Sequence, residues 1–205
     1  MSNAILAWSL VFMLCVAVPV LSDSDITTFP NVAATQKQEN STSVLTNDNN
    51  NNTITKTNNA NNNLINEGIS LLIAGRYNEA INLFDKALAM DPTNTLALTN
   101  KGTTLAYLQK YNEALSLFDK ALSIEPNNTG ILNSKGNVLV SLQKYNEALS
   151  LFDKVLAVEP NNAYALSLKG ISLTGLHKYN EAINLFDKAL VVADIIYEKI
   201  NEYNL

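Results

Sequence analysis

The segment from Lys110 to Asn128 reads KYNEALSLFDKALSIEPNN, and the segment from Lys144 to Asn162 reads KYNEALSLFDKVLAVEPNN. The two segments begin 34 residues apart and differ at only three positions. Repetition at this period is typical of arrays of small structural repeats that stack on one another. Extending the alignment in both directions gives four repeats, at residues 61–94, 95–128, 129–162 and 163–194.

Each repeat contains two stretches of apolar residues at helical spacing, joined by a short turn. Asn94, Asn128 and Asn162 follow the prolines that close the first three repeats, where an N-cap is needed. A glycine recurs in the middle of every first helix, although glycine costs a helix about 0.5–1 kcal/mol relative to alanine. We therefore expect a close approach of backbones there, with Gly102 against Ala114 and Phe118 filling the space beyond.

The residues that recur in register occur in the order glycine, tyrosine, alanine, phenylalanine, alanine and proline. In the second repeat they are Gly102, Tyr111, Ala114, Phe118, Ala121 and Pro126. This order at a period of 34 resembles the tetratricopeptide repeat (TPR) family. The resemblance implies an all-α fold, a right-handed α-solenoid of four TPR helix-turn-helix repeats. Departures from the pattern, Val155 for an alanine and Asp194 for the fourth proline, do not conflict with this fold.

An apolar stripe continues beyond the last repeat through Ile196, Ile200 and Tyr203. Residues 195–205 are accordingly predicted to form a C-terminal helical extension that caps the array, since terminal repeats expose an apolar face. The extension is either a continuation of the last helix or a new helix starting near Asp194. The alternative is a homo-oligomer that assembles through this extension.

The chain begins with an apolar run, Ala4–Leu21, followed by small residues. Residues 1–22 are predicted to be a secretory signal peptide cut after about Ser22, or else an uncleaved membrane anchor, the only contact with a membrane that the sequence suggests. Both interpretations predict an extracytoplasmic protein, secreted or associated with the cell surface. The only cysteine of the chain, Cys15, lies in this run, so disulfides are not expected to stabilise the exported part.

Residues 23–60 are rich in asparagine and threonine and show no apolar periodicity, which predicts a disordered tether. Asn40, Asn51 and Asn127 begin Asn-x-Ser/Thr triplets and are candidate glycosylation sites in an exported chain.

Neither an enzyme nor a metal or cofactor site is expected. The chain has one histidine, His177, in the turn of the last repeat, which excludes the usual zinc ligand sets and a Cys–His pair. Residues 61–205 carry 12 Lys and Arg against 15 Asp and Glu, so the electrostatic signature of a nucleic-acid-binding protein is missing.

The resemblance implies a function in binding, in a concave groove lined by the first helix of each repeat. The expected ligand is an unidentified protein or peptide, because asparagine side chains can hydrogen-bond a peptide backbone. Members that bind chaperone tails clamp a carboxylate with Lys or Arg, where this chain has Ile65, Gly130 and Asn133. The alternative function is that of a self-associating surface scaffold without a groove ligand. The candidate groove residues are Asn66, Ile69, Thr99, Asn100, Thr103, Tyr107, Asn133, Asn137, Tyr164 and Ser167.

Overall fold

The computed structural model describes the backbone of residues 48–203 and the side chains of residues 59–197. This range contains eight α-helices and no β-strand, and none of its helices is long and apolar enough to span a bilayer. The predicted signal peptide or anchor lies outside the described residues. The helices are α1 Asp48–Ile73, α2 Tyr77–Met90, α3 Thr95–Tyr107, α4 Tyr111–Ile124, α5 Thr129–Ser141, α6 Tyr145–Val158, α7 Ala163–Gly175 and α8 Tyr179–Tyr203.

Two compact units divide this range, with the boundary between Ile131 and Leu132 inside α5. In the first unit α1 packs on α2, α2 on α3, and α3 on α4. In the second unit α6 packs on α7, and α7 on α8. Each pair joined by a three-residue turn is one helix-turn-helix repeat, so the predicted all-α repeat fold is confirmed.

The glycines of the first helices face buried phenylalanine rings. A Cβ added to Gly102 would lie 2.8 Å from Cε1 of Phe118, and one added to Gly136 would lie 2.5 Å from Cε1 of Phe152. Both rings are 0% exposed, so neither can turn out to solvent without opening the core. The sequence named Ala114 as the partner of Gly102, but the nearest atoms belong to Phe118 because its ring extends further towards the facing helix than an alanine methyl.

Asparagine N-caps start the first helices of the last three repeats, as predicted. The Oδ1 atoms of Asn94, Asn128 and Asn162 accept hydrogen bonds from the backbone N–H three residues later, at 3.0, 3.1 and 2.8 Å. Each cap satisfies one of the N–H groups that a helix leaves unpaired at its start. The proline–asparagine sequence therefore fixes where each new repeat begins.

The turn inside each repeat needs one residue in the left-handed region. Gly75 occupies it in the first repeat with φ +73°, and Gln109, Gln143 and His177 occupy it in the others with φ +58°, +58° and +61°. His177 is exposed, which confirms its assignment to a surface turn. Three of the four turns thus place a side chain where only glycine avoids strain.

Lysines preceding the helix glycines connect successive repeats. The Nζ atom of Lys101 lies 2.5 Å from the carboxylate of Asp85, and that of Lys169 lies 2.6 Å from Asp153. In both pairs the aspartate belongs to the second helix of the preceding repeat. The lysine side chains are only 22% and 25% exposed, so their stems pack between repeats.

The first helix starts earlier than the sequence predicts. α1 begins at Asp48, inside residues 23–60, where a tether without regular structure was expected. The packed part of α1, from Asn61 onward, supplies the helix nucleus, and further turns then form at little cost even in asparagine-rich sequence. The rest of the predicted tether lies outside the described residues.

The last helix runs without a break from Tyr179 to Tyr203, so the C-terminal extension continues α8 rather than forming a new helix. The predicted helical extension is thereby confirmed, and its role as a cap stays a prediction. Ile195, Ile196 and Tyr197 of this extension are 48%, 50% and 59% exposed. Phe186 is only half-buried, whereas Phe84, Phe118 and Phe152 are 0% exposed.

Replacing a helix glycine by alanine should destabilise the fold even though alanine favours a helix. For Gly102→Ala we expect a loss of about 1–3 kcal/mol in the free energy of unfolding, because the methyl group overlaps Phe118. Urea unfolding followed by circular dichroism measures it. Gly102→Ala placed in a Phe118→Leu background is the control and should cost clearly less than in the native background. Equal losses in both backgrounds would contradict the contact.

Relieving the left-handed turns should stabilise the protein. Gln109→Gly and Gln143→Gly are each expected to raise the free energy of unfolding by about 0.5–1 kcal/mol. A side chain at positive φ destabilises the folded state by roughly 1–2 kcal/mol, and the larger conformational entropy of glycine in the unfolded chain offsets part of the gain. The reverse change, Gly75→Gln, should lower it. Thermal unfolding measures all three variants. If Gln109→Gly and Gln143→Gly both lowered the free energy of unfolding, the turns would not be strained.

Candidate functional site

The first compact unit presents the candidate residues of α1 and α3. Asn66 is exposed, while Ile69, Thr99, Thr103 and Tyr107 are half-buried. Asn100 is 7% exposed, so little of its amide is accessible from solvent. The face predicted to bind a ligand therefore consists of two half-buried threonines and the exposed amide of Asn66. Beside them lie Ile69 and Tyr107, which we call the apolar margin.

Two of the candidate side chains on α3 each donate a hydrogen bond to their own helix. The Nδ2 atom of Asn100 donates to the carbonyl oxygen of Leu96 at 2.8 Å, and the Thr99 hydroxyl donates to that of Thr95 at 2.6 Å. Because one donor of each side chain is engaged, the groups left to bind a ligand are mainly acceptors. They are the Oδ1 atom of Asn100 and the lone pairs of the Thr99 hydroxyl. This part of α3 consequently favours a ligand that donates hydrogen bonds.

The apolar margin is anchored in the core of the first unit. Ile69 and Tyr107 pack against a buried cluster that includes Ile65 and Phe84. The ring of Tyr107 stacks on that of Tyr77, with centroids 5.2 Å apart and an angle of 9° between the planes. A stacked ring on this face is a rigid surface for an apolar ligand side chain.

The second unit contributes Asn133, Asn137, Tyr164 and Ser167. Asn137 and Tyr164 are half-buried, and Ser167 is 7% exposed. Burial raises the pKa of the Tyr164 hydroxyl well above the usual range of a tyrosine, so this group stays protonated and can donate a hydrogen bond at any physiological pH. Asn133 is 1% exposed and lies in the core rather than on an open surface.

Asn133 is an unusual buried group because neither its Oδ1 nor its Nδ2 has a hydrogen-bond partner. A buried polar group without a partner costs about 1–3 kcal/mol relative to a satisfied one. Ile65 fills the corresponding position of the first repeat and is equally buried at 1%. The position accepts an apolar residue, so the fold does not require an asparagine there.

All ten candidate residues are uncharged. The neighbouring Lys101 and Lys169 are directed to Asp85 and Asp153. Over residues 59–197, moreover, no group of three or more His, Asp or Glu side chains could hold a metal ion. The chemistry of the face is that of neutral hydrogen bonding and apolar contact.

Sequence reasoning placed the candidate residues on the first helices of the repeats, where they lie, but it did not predict the burial of individual residues. Asn100 and Asn133 were selected as accessible amides, yet both are buried. A signal was present at Asn133, since the equivalent residue of the first repeat is the apolar Ile65. Comparison of equivalent positions between repeats is the way to detect such burial.

The profile of the family described as anaphase-promoting complex, cyclosome, subunit 3 matches residues 73–155 and again, about one repeat further on, residues 109–189. The two matches together span residues 73–189, more than half of the chain. No curated protein matches the chain.

Several solved structures resemble the chain. TTC0263, a TPR protein of Thermus thermophilus, is 25% identical with a TM-score of 0.62 over 66% of this chain and 75% of its own. MamA from Desulfovibrio magneticus RS-1, residues 41 to the end, is 27% identical with a TM-score of 0.58 over 65% and 75%. The first TPR domain of Spaghetti (RPAP3), bound to the HSP90 peptide SRMEEVD, is 30% identical with a TM-score of 0.53 over 57% and 93%.

Replacing Asn133 by the residue of the first repeat should stabilise the free protein. For Asn133→Ile we expect the free energy of unfolding to rise by about 1–2 kcal/mol, because two unpaired polar atoms leave the core. Chemical denaturation measures the change. Asn137→Leu, at a half-buried position, serves as control and should change the stability by less. A destabilised Asn133→Ile protein would mean that the amide is satisfied in solution.

Proposed function

The chain belongs to the tetratricopeptide repeat family, as its match to the repeats of anaphase-promoting complex subunit 3 shows. On that premise we propose that it is an exported protein-interaction module. Its partner is a peptide or protein that binds to the first helices of the repeats. The single observation that carries this proposal is the neutral face of α3, where the half-buried Thr99 and Thr103 lie on the same helix as Tyr107, whose ring stacks on Tyr77.

The ligand that fits this face is neutral and extended. The HSP90 peptide bound by the Spaghetti domain, SRMEEVD, carries three acidic side chains. The ten candidate residues of this chain include no Lys or Arg that could pair with them. The exposed amide of Asn66 can accept from a peptide N–H through Oδ1 and donate to a peptide carbonyl through Nδ2. A ligand backbone supplies both groups without any charge.

Export rests on the sequence of residues 1–22 and on the composition of the chain after them. An apolar run followed by small residues directs a chain out of the cytoplasm, whether it is then cleaved or retained as an anchor. The exported part contains no cysteine, so it folds without disulfides in an oxidising compartment. The module thus works in an extracytoplasmic space, either secreted or held at the cell surface.

The second candidate function is a self-associating scaffold. Val191, Ile195, Ile196 and Tyr197 of α8 are 48–59% exposed, which is unusual for so many large apolar residues on one helix. Burial of these side chains in a second copy would produce a homo-oligomer without any ligand on the first helices.

Site-specific photocrosslinking in the native host envelope distinguishes the two functions. A benzoylphenylalanine at position 103, on α3, should give one crosslinked partner other than the chain itself. The matched control is position 116, an exposed serine on α4 of the same repeat, and it should give no such product. The variant Asn66→Ala should lower the yield at position 103 several-fold, because it removes the exposed amide of the face.

Equal crosslinking from positions 103 and 116, or none from 103, would contradict binding at the first helices. Products that contain only copies of the chain, with sedimentation that depends on concentration, would establish the scaffold instead.

A further inference from the structure

The last repeat leaves open a face that the chain covers elsewhere. Tyr179 and Ile183 are 54% and 55% exposed, and Phe186 is half-buried. The equivalent residues of α2 and α6 are buried or half-buried, including Phe84 and Phe152 at 0%. We call the surface formed by Tyr179, Ile183, Phe186 and Asp187 the α8 face.

The internal equivalents of the α8 face show what kind of element covers it. On α2 lies α3, whose Ala97 belongs to the buried cluster around Phe84 and whose Lys101 pairs with Asp85 at 2.5 Å. On α6 lies α7, which repeats both features: Ala165 is 0% exposed and Lys169 pairs with Asp153 at 2.6 Å. In both cases a helix presents a small apolar residue and, four residues later, a lysine.

Asp187 stands in the α8 face where Asp85 and Asp153 stand in the covered faces. Among the side chains of residues 59–197, none forms an ion pair with Asp187. In both internal pairs the lysine comes 16 residues after the aspartate, and the residue 16 positions after Asp187 is Tyr203, at the end of the same helix. At the spacing used by the inner repeats, therefore, the chain has no helix with a lysine that could pack on this face and pair with Asp187.

We propose that the α8 face is a second docking site, which binds an amphipathic helix of a partner protein. The partner helix carries alanine or another small apolar residue against Phe186 and a lysine four residues later that pairs with Asp187. This site takes a helix through side-chain packing, whereas the first helices take an extended ligand.

A second copy of the chain does not fit in the same register. Its only first helix without a preceding repeat is α1, which has Asn63 and Glu67 where α3 has Ala97 and Lys101. Stacking α1 of one copy on α8 of another would place a polar amide against Phe186 and bring the like charges of Glu67 and Asp187 together. Like charges at an interface act against association. Charge complementarity thus favours a basic helix of another protein over head-to-tail assembly.

A labelled peptide tests the proposal on the full chain. The probe is residues 162–178, NAYALSLKGISLTGLHK, acetylated and amidated, which carries Ala165 and Lys169 in the required spacing. Fluorescence anisotropy should show saturable binding. Asp187→Lys should weaken it about fivefold, as expected for reversing an ion pair in a partly exposed position. Ile183→Asp should weaken it at least as much. Both residues are exposed, so the fold is retained, which circular dichroism checks.

Charge exchange localises the contact. The peptide with Lys169→Glu should bind the native chain weakly. It should bind the Asp187→Lys chain about as tightly as the original peptide binds the native chain. No saturable binding, or no recovery on exchange, would overturn the proposal. It would equally be overturned if the native chain dimerises and Ile183→Asp abolishes the dimer, since the occupant is then a second copy. Binding that appears only after removal of residues 1–47 would assign the face to the chain's own amino terminus and would overturn it too.

Discussion

The contact between a helix glycine and a buried phenylalanine ring is the constraint on which the repeats depend. At Gly68, Gly102, Gly136 and Gly170 a single added carbon would lie 2.5–2.8 Å from the ring of the partner helix. The two helices of a repeat can approach this closely only because the glycine has no side chain. The loss of helix propensity at glycine is offset by complete burial of the ring in the first three repeats. N-caps, turns and lysine pairs then determine how one repeat follows the next.

Much of the fold could be predicted because these contacts recur in sequence. The period of 34, the three asparagine caps and the turn position of His177 all depend on local residue types, and the structure confirms them. The start of α1 at Asp48 could not be predicted, since it depends on helix propagation from a packed segment rather than on the composition of residues 48–60. The course of the last helix could not be predicted either. The stripe on α8 was recognised, but nothing in a stripe tells whether a helix continues straight or folds back.

The site was less accessible to sequence reasoning than the fold. The family resemblance indicates which face of each first helix to consider, because the candidate residues are chosen by their position within the repeat. Whether an amide on that face is available depends on its own helix and its neighbours, as the bond from Asn100 to Leu96 and the burial of Asn133 show. These are three-dimensional facts with no periodic signature. Residues that depart from the repeat pattern, such as Asn133 against Ile65 and Glu67 against Lys101, are the better guide to what each position does.

The lysine–aspartate pairs make the inner repeats interchangeable. Lys101 meets Asp85 and Lys169 meets Asp153 in nearly the same way, whereas Glu67 and Asp187 mark the two outermost helices. A duplication of one inner repeat would therefore add another compatible junction and leave both ends of the array chemically unchanged. Such a chain can lengthen or shorten during evolution by whole repeats while keeping the identity of its termini.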